Sequence, residues 1–326
     1  MERQFLVIQT AFLGDAVLAT AVLEQLHALY PDAAIDLVVR KGNEGLFTGH
    51  PFLRTVHVWD KGTGKTRALF DLVRKLRTVR YDQIINAQRF FSTGLMTVLA
   101  RGAERTGYDK NPMSRLFTRR IPHVIGDGRH EVHRLLALTA HLGGAPTAVP
   151  RLYPTEKDRA QARAAKDPST KAYVTIAPAS VWGTKEWPAH KWAALIQALP
   201  ADRGVYLIGA PGDVGLCTRI AHEAGRGTVL AGRLSLLGTA ALMEGAVMNY
   251  VNDSAPMHIA SAMHAPVTAV FCSTVPSFGF GPVHANGRVA ETREPLTCRP
   301  CGLHGHRSCP LGHFRCAESI PVEDVV

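Results

Sequence analysis

Short apolar runs recur along this chain, with helical patterns between them. "QFLVIQ" (residues 4–9) reads as a buried strand, and an apolar helical stretch follows over 15–29. "AIDLVV" is a second strand and "TVHVW" a third. A helical segment over 67–79 leads to a fourth strand, "DQIINAQ", and a further helix runs through "FFSTGLMTVLARG". Strands that are apolar throughout, alternating with helices, belong to a parallel sheet covered on both faces. The charged stretch 156–171 begins as a helix and ends at Asp167-Pro168, a break signal. Beyond it the alternation resumes with "AYVTIAP", "VYLIGA", "GTVLAG", "MNYVND" and "VTAVF". The pattern predicts an α/β chain of two Rossmann-like domains, with parallel sheets facing a central cleft. The expected boundaries are 1–165 and 166–297, with a Cys-rich tail over 298–326.

Composition narrows the class. Of 326 residues, 46% are apolar and 20% charged, enough apolar material for two cores and too much for a disordered chain. No apolar run reaches the roughly 18 residues needed to span a bilayer. The apolar stretch after Glu2 and Arg3 is broken by Gln9, Thr10 and Asp15, unlike a signal peptide. A cytoplasmic location is expected. The formal charge of +10 points to an anionic partner: a phosphorylated ligand, an anionic membrane surface or a nucleic acid. A nucleic-acid reader would carry a basic helix, or basic residues interleaved with aromatics, and this chain has neither pattern.

Three loops at strand ends could carry chemistry. Gly14-Asp15 follows the first strand, where ligands bind in open α/β sheets. The glycine permits a tight turn and close approach, and the aspartate is either a helix N-cap or an acid–base group. A strict G-x-G-x-x-G is absent, which gives no support to a nicotinamide cofactor. "APASVWGTKEWP" (177–188) places Ser180, Thr184 and Lys185 in a small-residue turn ahead of a helix. It reads as a diphosphate cradle, or as a loop whose tryptophans pack inward. "VNDSAPMHIASAM" (251–263) ends a strand with Asp253 and Ser254 and continues into an Ala-rich helix bearing His258, a donor-side candidate or a core histidine. "KGTGKT" (61–66) fails as a phosphate loop because Trp59 stands where its first glycine is required. "HEVH" (130–133) fails as a zinc motif because its second histidine comes one residue early.

Four of the six cysteines gather near the C-terminus, in "CRPCGLHGHRSCPLGHFRC". Cys298, Cys301, Cys309 and Cys316 could close a tetrahedral structural zinc site, remain reduced thiols, or serve as disulfide or redox residues. A zinc-ribbon tail on a nucleic-acid-binding protein is the corresponding rival function.

Taken together, "FLGDAVLATAVLEQLHALYPDAAIDLV", "APASVWGTKEWPAHKWAALIQAL", "LIGAPGD", "NDSAPMHIASAMHAPVTAVF" and the Cys-rich tail resemble glycosyltransferase family 9, the heptosyltransferases of lipopolysaccharide core assembly. The tail is most similar to that of the second heptosyltransferase. The resemblance implies a GT-B fold and an inverting, metal-independent transfer from an ADP-heptose donor to a phosphorylated lipopolysaccharide-core acceptor. It also implies a peripheral, transient contact with the cytoplasmic face of the inner membrane. It makes Asp15 the general base and Ser180 and Lys185 the diphosphate contacts; Gly14, Thr184, Ser254 and His258, from the loops read above, are the further donor-side candidates. Asp253 falls near the donor sugar, Asp213 near the ribose and Leu234 near the adenine. Arg89, Arg115 and Arg119 are candidates for the acidic acceptor, or ordinary surface charges. Ala255 stands where the family usually has glycine, and Ala179 replaces another in the small-residue loop. A GT-B enzyme using a different donor, or one that epimerises or hydrolyses a nucleotide sugar, is the alternative of the same architecture.

Overall fold

A computed structural model of the chain describes residues 2–62, 64–284 and 286–326, so Thr63 of "KGTGKT" lies outside the described residues. The chain forms two compact units, Met1–Tyr153 and Pro154–Val326. Each has a six-stranded sheet.

In the first unit the strands are β1 (Gln4–Ile8), β2 (Ala34–Arg40), β3 (Leu53–Trp59), β4 (Tyr81–Asn86), β5 (Gly102–Tyr108) and β6 (Arg119–Ile121). The helices are α1 (Leu13–Leu18), α2 (Thr20–Leu29), α3 (Lys65–Leu76), α4 (Phe91–Leu99) and α5 (Glu131–Leu136). The second unit holds β7 (Tyr173–Ala177), β8 (Gly204–Leu207), β9 (Thr228–Val229), β10 (Met248–Asn252), β11 (Val267–Phe271) and β12 (Gly287–Glu291). Its helices are α6 (Glu156–Ala164), α7 (Ala189–Ala198), α8 (Val214–Ala224), α9 (Leu236–Glu244), α10 (Ala255–Ala262) and α11 (Arg315–Glu318).

The sheet orders are β3-β2-β1-β4-β5-β6 and β9-β8-β7-β10-β11-β12, and every pairing is parallel. Both are the doubly wound 3-2-1-4-5-6 arrangement, in which the winding reverses between the first and fourth strands and opens a crevice at their carboxyl ends. That crevice lies at β1/β4 in the first unit and at β7/β10 in the second.

The central strands form because their residues can be buried on both faces. Phe5, Leu6, Val7 and Ile8 of β1 have no exposed surface. Three strands escaped the sequence pattern. β5 opens with the polar, exposed "GAER", β6 is the three-residue edge segment "RRI", and β12 is the half-exposed edge segment "GRVAE". β6 and β12 each have one open side and a wet face, and β5, paired by β6 only over Thr106–Tyr108, keeps a wet first half, so none shows an apolar run.

Two expectations are corrected. The helix over 15–29 is in fact α1 and α2, parted at Ala19. There the Thr20 hydroxyl donates to Val17 O (2.7 Å) and accepts from Arg151 N (2.9 Å), an alternative partner for the backbone. The units divide at 153/154 rather than 165/166, because α6 packs on α9. Thr155 and Asp158 form a capping box at its start, Ser235 Oγ donates to Asp158 Oδ1 (2.7 Å), and Gln161 Nε2 donates to Arg233 O (3.3 Å). The tail is equally part of the second unit. Ala317, Ile320 and Val325 are fully buried in one core with Val174, Trp192 and Leu195. Trp187 and Trp192 meet edge to face at the centre of that core, with centroids 5.0 Å apart.

Candidate active site

β1 leads through a short loop into α1, whose N-cap is Phe12, with extended backbone and no side-chain capping bond. Asp15 is therefore the third residue of the helix, not its cap, and Gly14 lies within the first turn, without a positive φ. From this position a carboxylate reaches back to the open amides of the helix start. Asp15 takes backbone hydrogen bonds at Phe12 and at its own amide.

The Asp15 carboxyl is nonetheless pushed up to about 6. Burial is the largest cause and the negative charge of Glu131 the next, while the backbone bonds and the Arg89 charge pull the other way. Glu131 opens α5. Burial presses its own carboxyl upward, but nearby His123 and the Arg134 hydrogen bond and charge outweigh burial and hold it below the usual range. The Arg134 Nε–Glu131 Oε2 distance is 2.7 Å and His123 Nε2–Glu131 Oε1 is 3.8 Å. Glu131 thus stays ionised and repels a second negative charge on Asp15. Tyr108 stacks edge to face on His123 (4.4 Å between centroids), and burial raises its hydroxyl well above the ordinary range. Sequence reasoning met Glu131 only inside a failed zinc motif. The available signal was the Glu131/Arg134 pair, three apart on a helix start.

Of the three candidate acceptor arginines, only Arg89 is brought to Asp15. It follows β4 across the crevice, and its charge acts on the Asp15 carboxyl. Arg115 sits exposed on a 3-10 turn (Ser114–Leu116). Arg119 is exposed at the start of β6, and its charge bears on His141, which lies 3.8 Å from Glu104. Lys61 of the rejected phosphate-loop pattern does reach the Asp15 loop. Its ammonium donates to Thr10 O (2.5 Å), and burial, with Arg40 and Lys65 nearby, lowers its pKa to about 8.

In the second unit the crevice brings together the loops after β7 and β10. Lys185 Nζ lies 2.6 Å from Asp253 Oδ2, and Thr274 Oγ1 donates to the same oxygen at 2.6 Å. The side chains of Lys185 and Asp253 are 14% and 7% exposed, so this is a nearly buried ion pair. Asn252, which sequence reasoning missed, pins both ends of the Lys185 loop. Its Nδ2 donates to Pro178 O (2.7 Å) and its Oδ1 accepts from Trp187 N (3.0 Å). Ser180 N donates to Glu186 Oε1 (2.9 Å), and Ser180 Oγ accepts from Trp182 N (3.3 Å).

Thr184 departs from the expectation of a donor contact. It is 2% exposed, and its hydroxyl is engaged by His306 and Ser273. Asp213 follows β8 and accepts from Ala210 N (2.7 Å), a helix-start role. Leu234 is half-buried in the turn before α9. Ser254 is the N-cap of α10 but makes no capping bond, its hydroxyl donating to Asn252 O at 3.4 Å. Ala255 and Pro256 fill the first two helical positions, and His258 is buried on the same helix.

The cysteine cluster does not form a ligand set as placed. Cys298 Sγ lies 3.9 Å from His313 Nε2 and Cys301 Sγ donates to Cys298 O (3.2 Å). Cys316 is buried, and burial raises its thiol to about 11. Four thiols suit zinc chemically. Among the described residues, however, no three Cys, His, Asp or Glu side chains converge on a metal position.

Two doubly wound sheets of identical strand order, with a raised carboxyl at one crevice and a lysine–aspartate pair at the other, are the halves of a GT-B fold. The structure of the E. coli ADP-heptose lipopolysaccharide heptosyltransferase II shares this fold with a TM-score of 0.80, at 22% identity, covering 100% of this chain and 96% of that one. The sequence profile of glycosyltransferase family 9 (heptosyltransferase) matches residues 69–305, and the chain belongs to that family. Lipopolysaccharide heptosyltransferase 3 of E. coli is 26% identical over 278 residues, 81% of this chain and 82% of the relative. Lipopolysaccharide heptosyltransferase 1 of Pseudomonas aeruginosa is 27% identical over 311 residues, 91% and 85%.

Proposed function

We propose that this chain transfers heptose from ADP-heptose to the inner core of lipopolysaccharide, with inversion and without a catalytic metal. The carrying observation is the Asp15 carboxyl, held near 6 at the β1/β4 crevice. A sugar hydroxyl is a poor nucleophile, and a carboxylate of that basicity is ionised at neutral pH yet able to take a proton. The acceptor oxygen forms its bond to the anomeric carbon as its proton passes to Asp15. The bond from that carbon to the diphosphate breaks, and its electron pair leaves with ADP. Lys185 and the backbone amides of its loop stabilise the growing negative charge.

Likeness to lipopolysaccharide heptosyltransferases supports the sugar and the acceptor, and likeness to the E. coli ADP-heptose heptosyltransferase II supports the ADP moiety. The Cys-rich tail favours the second heptose addition. The acceptor is met by Arg89 and Lys61, two of the cations placed by the Asp15 loop, and Asp213 and Leu234 serve the nucleoside side. No helix among the described residues is long and apolar enough to cross a membrane. Contact with a lipid-borne acceptor would then use the basic surface, on the cytoplasmic face of the inner membrane.

The test is Asp15→Asn, assayed with ADP-heptose and a core acceptor in the presence of chelator. Folded protein should bind ADP and lose about 10²–10⁴-fold in turnover. Near-normal turnover would remove the base assignment. Failure of the wild type in chelator, restored by added metal, would remove the metal-independent mechanism.

A further inference from the structure

The loop that carries Lys185 is built against the Cys-rich tail. Thr184 N donates to His306 O (3.0 Å), and His306 N donates to Thr184 Oγ1 (2.7 Å). The Thr184 hydroxyl also donates to His306 O (3.1 Å) and accepts from Ser273 Oγ (3.0 Å). Cys301 N donates to Ser273 O (2.8 Å), and the rings of Trp182 and His304 lie nearly parallel at 6.4 Å. Two glycines make this approach possible. A Cβ on Gly183 would stand 2.4 Å from Arg307 O, and one on Gly305 (φ +78°) would stand 2.7 Å from Thr184 Oγ1.

The segment is tied down on its other side too. The Arg299 guanidinium donates to Cys272 O (2.8 Å), Phe271 O (3.1 Å) and Thr274 O (2.7 Å). Thr274 is the residue whose hydroxyl orients Asp253. Both members of the Lys185–Asp253 pair are therefore indexed to one stretch of tail, Lys185 through its neighbour Thr184 and Asp253 through Thr274.

We propose that residues 299–307 of the tail are a positioning element of the donor site, a strut that holds the diphosphate loop through the buried hydroxyl of Thr184. Thr184 is then a positioning residue and not a ligand. The proposal rests on the reading that Lys185 meets the donor diphosphate. If the seated tail favours diphosphate binding, bound diphosphate must favour the seated tail by the same factor.

The probe is ADP. Thr184→Val keeps the side-chain shape and removes the hydroxyl, leaving the part-buried His306 amide and the buried Ser273 hydroxyl without their partner. It should raise the Kd for ADP and the KM for donor by roughly tenfold, while the KM for acceptor stays put. Thr184→Ser should restore ADP binding. In the wild-type enzyme, ADP should slow hydrogen exchange at the His306 amide. Thr184→Val binding ADP within twofold of wild type would overturn the strut. So would an exchange rate at His306 indifferent to ADP, a measurement that decides the matter even if Thr184→Val fails to fold. Lys185→Ala separates the two readings. Unchanged ADP binding in Lys185→Ala would remove the donor-site reading itself. Its loss there, beside normal binding in Thr184→Val, would remove only the strut.

Discussion

With Asp15 as the proposed general base, the position of its carboxyl should set the acid limb of the pH–rate profile. A base must be deprotonated to act, so activity should rise with pH through the Asp15 pKa and level off above it. With that value pushed up to about 6 from an ordinary 3.8, only about a tenth of the enzyme is competent at pH 5; an unshifted carboxyl would leave more than nine-tenths competent. Glu131→Gln removes the second-largest cause of the elevation and leaves burial, the largest, in place. The midpoint should move down by roughly 0.5–1 in pH, staying above the ordinary carboxylate value, and activity at pH 5 should climb from about a tenth of the plateau to about a third. Arg134, deprived of its full partner, would act in the same direction. Glu131→Asp keeps the charge and should keep the midpoint near 6. The assay is kcat/KM between pH 4.5 and 9 from direct chromatographic measurement of ADP, since coupling enzymes carry pH dependences of their own. An acid limb that stays at 6 in folded Glu131→Gln would refute the electrostatic account. A wild-type limb near 4 would refute the burial of the working carboxylate.

Other consequences follow from the same surroundings. Arg89→Ala withdraws a charge that lowers the Asp15 carboxyl, so the acid limb should move upward, whereas Arg119→Ala, whose charge acts on His141, should leave it in place. Asp253→Ala strands Lys185 in a nearly buried site, and urea unfolding should register a loss of about 3 kcal/mol, a change below 1 kcal/mol indicating a wetter pair than described. Ile320→Ala opens a void in the core shared with Trp192 and should cost about 2–5 kcal/mol with an unchanged m-value. Little or no loss would mean that the tail is not built into the second unit.

The sequence revealed the central strands and the loops that follow them, because burial on both faces leaves continuous apolar runs and the carboxyl ends of such strands are where ligands bind. Asp15, Lys185 and Asp253 were legible for that reason, and the structure sets the last two side by side. What stayed hidden depends on distant segments meeting. Glu131 looks like an ordinary helix-start acid until folding carries it to Asp15, 116 residues earlier in the chain. Thr184 beside Lys185 reads as a second phosphate contact, and only its bonds to His306 reveal that its hydroxyl faces protein. Asn252 was overshadowed by its neighbour Asp253, although its amide fixes both ends of the Lys185 loop. The polar strands β5, β6 and β12 lacked a pattern because β6 and β12 are sheet edges and the first half of β5, which β6 does not reach, stays partly exposed.

The repeated strand order divides the enzyme's labour. On the proposed reading, proton removal hangs on one sheet and nucleotide capture on the other, each confined to loops that can vary while the strands beneath them stay the same. Such a scaffold can acquire a new acceptor by rewriting the connections after β1 and β4 alone, keeping its activated-sugar supply untouched. Diversification on one side, with constancy on the other, is what a stepwise builder of branched saccharides requires.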